Sequence, residues 1–354
     1  MRRNSNQKVN LKDLNLAEIK QFLTELGEKP FRAEQLCQWM FAKGVTGFDE
    51  MTNLSKELRT KLAELACLSS PQIVARQQSA RGDTIKYLFS LADGHAVESV
   101  LMKHSYGNAA CVSTQVGCRM GCLFCASTLG GLVRNLSPAE IYDQVLGIKR
   151  DSGERVSHIV IMGTGEPLDN FDNVIKFLEN INAEYGLNIG YRHITLSTCG
   201  LVPRMKELAL KKLPITLAVS LHAPNDRLRD QLVPINRRYK LPELMQACRD
   251  YIEITGRRIT FEYALLAGVN DSEEHARQLV TLLTGLMCHI NLIPANPVQE
   301  RGFKRSSPEK VEKFRTILAR GGLNVTVRRE LGTDIDAACG QLRRRYEFEK
   351  LGGD

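Results

Sequence analysis

Apolar residues Leu16, Ile19, Phe22, Leu23 and Leu26 recur three and four positions apart in NLAEIKQFLTELG, and Gly27 stops the run. That spacing predicts an amphipathic helix. A second helix is expected in FRAEQLCQWMFAKG, between Pro30 and Gly44, and a third in SKELRTKLAEL, with Ser55 as its N-cap. Phe31, Trp39 and Phe41 are expected to pack inside this helical unit. TIKYLFSLADGHAVESVLM then reads as two strands joined through Asp93–Gly94. From about residue 109 the rhythm changes to short apolar strands alternating with amphipathic helices. The strands are ACVSTQV, HIVIMG, HITLS, ITLAVSLH, ITFEYALL, HINLIPA and NVTVRR; the helices include 171–184, 203–211, 241–255, 272–285 and 308–320. Repeated strand–helix units predict an α/β fold with a parallel sheet, closed fully or partly into a barrel. The expected division is a helical accessory domain at 1–72, a β-rich linker or extension at 73–103, the barrel at 104–334 and a C-terminal segment at 335–354.

Composition is that of a globular chain, 43% hydrophobic and 25% charged over 354 residues, which leaves ample material for a core. No stretch approaches the ~18 apolar residues of a membrane helix. The basic opening MRRNSNQKVN is followed by no apolar segment, so a cytoplasmic protein without a signal peptide is expected. Ten cysteines in a reducing compartment point to metal binding or chemistry before structural disulfides. Most of the net charge of +8 is local: residues 301–330 hold nine Lys/Arg against three Asp/Glu. Glu309, Lys310, Glu312 and Lys313 read as a solvated helix face. RGFKRSS has no acidic partner and suits a flexible phosphate-contacting loop.

The densest chemical signal is CRMGCLFC, which places Cys118, Cys122 and Cys125 in one short loop after the first barrel strand. Structural zinc takes four protein ligands. Three thiolates can instead hold three irons of a [4Fe–4S] cluster and leave the fourth open. A zinc knuckle completed from afar stays open at this point. The other strand ends are polar: Gly163, Thr164, Gly165 and Glu166 after the second, Ser197 at the third, Ser220, Leu221 and His222 at the fourth, Asn296 at the sixth. Barrel ligands sit at such ends, so these residues describe one polar mouth. Cys37, Cys67, Cys199, Cys248 and Cys288 read as buried small hydrophobes, and His193 and His289 as structural.

The cysteine loop, with an aromatic before its last cysteine, resembles the radical S-adenosylmethionine (SAM) enzymes. Beyond it, GEKPFRAEQLCQWMF, CVSTQVGCRMGCLFCAS, MGTGEPLDN, ITLSTCGLVPRM, AVSLHAPND, NLIPANP and DIDAACGQL are similar to the RlmN/Cfr family of RNA adenine methyltransferases, across nearly the whole chain. The resemblance implies a partial (β/α)6-type radical SAM barrel with a small N-terminal helical domain. It implies a [4Fe–4S] cluster on Cys118, Cys122 and Cys125, and SAM held by Gly165, Glu166, Ser197, Ser220, Leu221, His222 and Asn296. The implied reaction uses two SAM molecules. One methylates Cys339, and the second yields a radical that takes hydrogen from that methyl group. The carbon then adds to an adenine, Glu98 accepts the ring proton, and Cys111 releases the adduct by forming a transient disulfide with Cys339.

The implied targets are carbon 2 of adenine 2503 in 23S rRNA and of adenine 37 in tRNA. Implied partners are those RNAs and a flavodoxin- or ferredoxin-type electron donor, with the protein acting as a monomer away from membranes. Pro167 after Gly165–Glu166 favours carbon 2 over the carbon-8 chemistry of the Cfr branch, whereas RRELGT before DIDAAC leaves that choice open. A non-catalytic iron–sulfur or zinc RNA-binding protein is the alternative from another class.

Overall fold

The computed structural model describes residues 8–295 and 301–328, together with Ile335 and Leu342. A two-residue strand β1 (Val9–Asn10) pairs in parallel with β2 (Ala66–Cys67) and closes the helical unit into a loop. Between them lie α1 (Leu16–Glu25), α2 (Arg32–Gln38) and α3 (Lys56–Leu65). Helix α1 begins with a capping box in which Asn15 and Glu18 satisfy each other's backbone N–H groups. Ser55 caps α3 as expected. The second helix runs on through a π-helical turn, Trp39–Lys43, and stops at Gly44 with φ +70°. Phe41 is fully buried, but Phe31 is 53% exposed and does not pack inside. It precedes the first turn of α2, where the Arg32 guanidinium lies 5.1 Å from its ring.

Ten strands form one sheet. In chain order they are β3 (Gln72–Gln78), β4 (Thr84–Ser90), β5 (Ala96–His104), β6 (Gly107–Cys111), β9 (Val156–Ile161), β10 (Ile194–Thr198), β11 (Thr216–Ser220), β12 (Ile259–Leu265), β13 (Cys288–Pro294) and β14 (Val325–Val327). Strands β6, β9, β10, β11, β12, β13 and β14 are parallel neighbours in that order. Strands β5, β4 and β3 continue the sheet antiparallel beyond β6. Residues 73–103 are therefore strands of the same sheet.

The expected first strand, ACVSTQV, divides. Its first part ends β6 at Cys111. Its last part, β7 (Gln115–Gly117), leaves the sheet and pairs antiparallel with β8 (Leu132–Asn135). Crossovers are made by α4 (Pro138–Ser152), α5 (Phe171–Asn182), α6 (Val202–Leu210), α7 (Asp226–Leu232), α8 (Leu241–Thr255), α9 (Glu273–Leu283) and α10 (Pro308–Arg320). The sheet curls. Arg328, just past β14, lies close enough to Cys111 on β6 for its charge to lower that thiol's pKa, and does the same to Glu262 on β12. Strands β6 and β14 are six steps apart, roughly 29 Å in a flat sheet at ~4.8 Å per strand. Only a partial barrel brings them together.

The helical unit packs on α4 and α5 and shares their hydrophobic core. Phe41 meets Tyr142 with ring centroids 4.8 Å apart, and the Tyr142 hydroxyl donates to the Phe41 carbonyl at 3.1 Å. Lys12, fully buried, pairs with Asp143 at 2.8 Å.

Candidate active site

Strands β7 and β8 clamp the base of the cysteine loop. Gly117 has φ +79°, and a Cβ there would lie 1.9 Å from the Gly131 carbonyl oxygen, so only glycine fits. The Cys118 N–H then donates to that same oxygen at 2.8 Å. Inside the loop, the Thr128 hydroxyl donates to the carbonyls of Cys122 and Cys125 at 3.1 and 3.0 Å. Cys122 sits in an apolar nest with Cys199, Leu232, Val233 and Leu266, against which Phe124 packs. The Phe124 ring stands edge-on to His222, centroids 4.6 Å apart.

Cys118, Cys122 and Cys125 are all free thiols. Burial pushes the Cys118 thiol up to about 12 and Cys122 upward too, with the neighbouring cysteines adding to both. Such thiols ionise when a metal takes the proton's place. Among the described residues, no three His, Cys, Asp or Glu side chains gather as around one metal ion. Structural zinc takes four protein ligands, and this loop supplies three thiols. An iron–sulfur cluster binds each thiolate through a different iron, and three thiols on one partly apolar loop fit it.

The expected strand-end residues converge above this loop. Gly163 and Gly165 allow a close approach, but first of all to the chain itself: a Cβ would lie 2.7 Å from Val112 backbone at Gly163 and 2.7 Å from Gln115 at Gly165. The Glu166 carboxylate is buried and accepts the backbone N–H groups of Leu168 (3.1 Å) and Cys199 (2.8 Å), tying the ends of β9 and β10 together. Burial raises its pKa. Ser197 and Ser220 bring their hydroxyl oxygens to 3.4 Å. His222 adopts φ +55°, is buried, and its Nδ1 accepts the Ala264 N–H at 2.9 Å. That bond leaves the ring proton on Nε2. Burial depresses its pKa to about 3, so the imidazole is neutral. Leu221 is fully buried between them. Asn296 lies outside the described residues.

A second group of residues forms on the antiparallel side. Register places Lys86 opposite Val100, Val100 opposite Cys111, and Leu88 opposite Glu98. With the two-residue period of strands, Lys86, Leu88, Glu98, Val100 and Cys111 share one face. Lys86 and Glu98, both buried, pair at 3.0 Å. Burial raises the pKa of Cys111, while the charges of Arg328 and Lys86 lower it. Leu342 is buried against Leu88 and Ala96 on the same face. The structure thus brings Glu98 and Cys111 together. Cys339 lies outside the described residues.

Three basic residues escape a reading by sequence. Arg229 is wholly buried beneath the mouth, and Lys86 supports Glu98. Arg301, in the segment expected to be a free phosphate-contacting loop, turns inward and donates to Thr128 Oγ1 at 2.8 Å. Phe303 packs on the cysteine loop's apolar nest, and the Lys304 carbonyl accepts the Ala267 N–H. An aromatic between the charges was the available signal: it gives that loop an apolar surface to settle on. Cys199, read as packing only, is buried but shares its nest with Cys122. Cys67 is half-buried. His193 and His289 bond to His158 and Thr326, respectively, as structural histidines do.

Family models match twice: a ribosomal RNA large subunit methyltransferase N-terminal domain over residues 9–68, and the radical SAM superfamily over residues 112–280. The probable dual-specificity RNA methyltransferase RlmN of Desulforamulus reducens is 77% identical over 347 residues, 98% of this chain and 99% of that protein. The protein of the same description from Pelotomaculum thermopropionicum is 65% identical, over 96% of this chain and 92% of its own length. A crystal structure of a radical SAM methyltransferase from Sphaerobacter thermophilus superposes with a TM-score of 0.89 at 46% identity, covering 94% of this chain and 98% of that one.

Proposed function

The chain belongs to the RlmN family of radical SAM dual-specificity RNA methyltransferases, and from that premise we propose that it methylates carbon 2 of adenine 2503 in 23S rRNA and of adenine 37 in tRNA. Cys118, Cys122 and Cys125 would hold a [4Fe–4S] cluster, and Gly165, Glu166, Ser197, Ser220, Leu221, His222 and Asn296 would line the SAM site. Bound together, cluster and SAM would supply the one-electron chemistry needed at adenine C2, an electron-poor carbon that cannot act as the nucleophile in a simple methyl displacement.

The chain's own residues do the rest. Cys339 carries the methyl group whose carbon becomes bonded to adenine C2. Glu98 takes the proton from C2, and its fixed ion pair with Lys86 holds it in place. The Cys111 thiolate attacks the Cys339 sulfur: an S–S bond forms as the S–C bond breaks, the electron pair of that bond stays on the bridging CH2 carbon, which takes a proton from water to become the methyl group, and the methylated base leaves. Burial holds the Cys111 thiol above its ordinary pKa, and the positive charges of Arg328 and Lys86 offset part of that cost to the thiolate. The buried mouth requires the adenine to leave its stack before reaction. The helical unit at 1–72 and the exposed cations Lys304 and Arg305 are the surfaces we assign to RNA shape. Electrons come from a flavodoxin- or ferredoxin-type donor, and the protein works as a cytoplasmic monomer.

The observation that carries this reading is the shared face of Glu98, Cys111 and Leu342. Leu342 follows Cys339 by three residues, and three residues span at most about 11 Å. Nucleoside mass spectrometry of RNA treated with the reconstituted enzyme tests it. The account expects 2-methyladenosine; 8-methyladenosine alone would overturn the carbon-2 assignment, and stoichiometric zinc without iron would overturn the radical reading.

A further inference from the structure

Arg229, on α7, is fully buried and is the largest such side chain among the described residues. Its four hydrogen bonds all go to neutral oxygens: Nε donates to the Leu221 carbonyl at 3.1 Å, Nη2 to the carbonyls of Cys199 and Ser220 at 2.7 and 3.0 Å, and Nη1 to Asn236 Oδ1 at 3.0 Å. The nearest carboxylates are one residue removed, because Asp226 and Asp230 accept from the Asn236 amide nitrogen. A buried cation faced only by dipoles is costly, and folded proteins normally pair it. The charge also does more than tie strand ends, since a neutral donor could satisfy the same carbonyls.

What lies beside it is the cysteine loop. The Leu123 N–H donates to the Leu232 carbonyl at the end of α7, less than one turn from Arg229. Cys122 and Cys199 share their apolar nest with Leu232 and Val233. Arg229 Nη2 is bonded to the carbonyl of Cys199, whose side chain shares that nest with Cys122, so the guanidinium lies one residue from the loop's thiols. A three-thiolate [4Fe–4S] cluster is net anionic, and reduction adds one more negative charge. In a water-poor nest, that charge needs a fixed counter-charge.

We propose that Arg229 is the built-in counter-charge of the cluster, set beneath Cys122 so that the reduced state stays accessible to a protein electron donor. This rests on the cluster reading above. Arg229 acts as a positioning residue through charge, and touches neither substrate nor RNA.

The test is a potentiometric titration of the anaerobically reconstituted full-length protein, followed by the electron paramagnetic resonance signal of the reduced cluster. Iron and sulfide are counted in each sample. R229Q removes the charge and keeps donors. N236D leaves the guanidinium in place and sets a carboxylate against it, which serves if R229Q does not fold. R229K keeps the charge and loses the fork. The proposal expects R229Q and N236D to lower the reduced-to-oxidised ratio at the wild-type midpoint by at least about tenfold, equivalent to ~59 mV. R229K should stay within about twofold. Full clusters with unchanged midpoints in R229Q and N236D would overturn the proposal alone. R229K falling as far as R229Q would assign the effect to lost hydrogen bonds and overturn it equally. A wild-type protein that holds no cluster would overturn the functional reading, and this proposal with it.

Discussion

Lys86 and Glu98 face each other at 3.0 Å with almost no access to water. Their value lies in the position they impose on one carboxylate beside Cys111. Positioned proton transfer contributes roughly 10²–10⁴-fold to a rate. E98Q should therefore lower RNA methylation by about that factor, while methylation of Cys339 by the first SAM, read by peptide mass, proceeds. Loss of both would mean that Glu98 is needed for the fold of the site. His222 makes a different prediction. Its native pKa of about 3 lies below the unfolded value of ~6.5. Below about pH 6.5 the unfolded chain takes up a proton that the native ring refuses, so stability falls as pH drops through that window. Between pH 7 and pH 5 the loss is about 2 kcal/mol. Asn tolerates the positive φ and can accept the Ala264 N–H through its side-chain oxygen. H222N should thus lose less stability on acidification, measured by urea unfolding at both pH values; equal losses would contradict the assignment.

At the scale of elements, the cysteine loop depends on the β7–β8 clamp as much as on its thiols. G117A would press a methyl group onto the Gly131 carbonyl at a positive φ. Iron per chain after reconstitution should fall well below half the wild-type value, with far-ultraviolet circular dichroism unchanged. Most elements were legible in the sequence because periodicity and caps are local: Leu16 to Leu26 spell out α1, and Ser55 and Gly44 mark real boundaries. The division of ACVSTQV was not legible. An apolar run has no mark for where it leaves a sheet, and the departure is decided by Gly117 meeting Gly131, far along the loop. Helix α7 is only seven residues long and most of them are charged, so DRLRDQL is too short to show a helical apolar stripe. Its Arg229 stayed hidden because arginine is seldom fully buried. The cysteine motif declared itself by spacing, whereas the meeting of Glu98 with Cys111 depends on strand register, which motif spacing does not encode.

Among the described residues, the helical unit is joined to the sheet's helices by its contact with α4 and α5. Lys12 and Asp143 form that contact's buried ion pair, with Ser69 donating to the same carboxylate at 3.2 Å. Burial raises Asp143 to about 6. D143N strands the Lys12 ammonium away from water and should destabilise the protein by about 3 kcal/mol or more, with limited proteolysis cutting first within residues 8–68. The double variant K12M/D143L should recover part of that loss; if it is less stable than D143N, the pair contributes more than relief of a stranded charge. The curl of the sheet serves the same unity. It brings Arg328, just past β14, towards Cys111 on β6, on the face where Leu342 packs against β4 and β5 and where the chemistry is assigned. In the proposed reaction Cys339 bonds to the RNA and Cys111 frees it. Denaturing gel analysis of C111A incubated with SAM, reductant and substrate RNA tests this most directly. A covalent protein–RNA adduct should accumulate in C111A and be absent from C111A/C339A. Turnover of C111A at the wild-type rate without any adduct would contradict it.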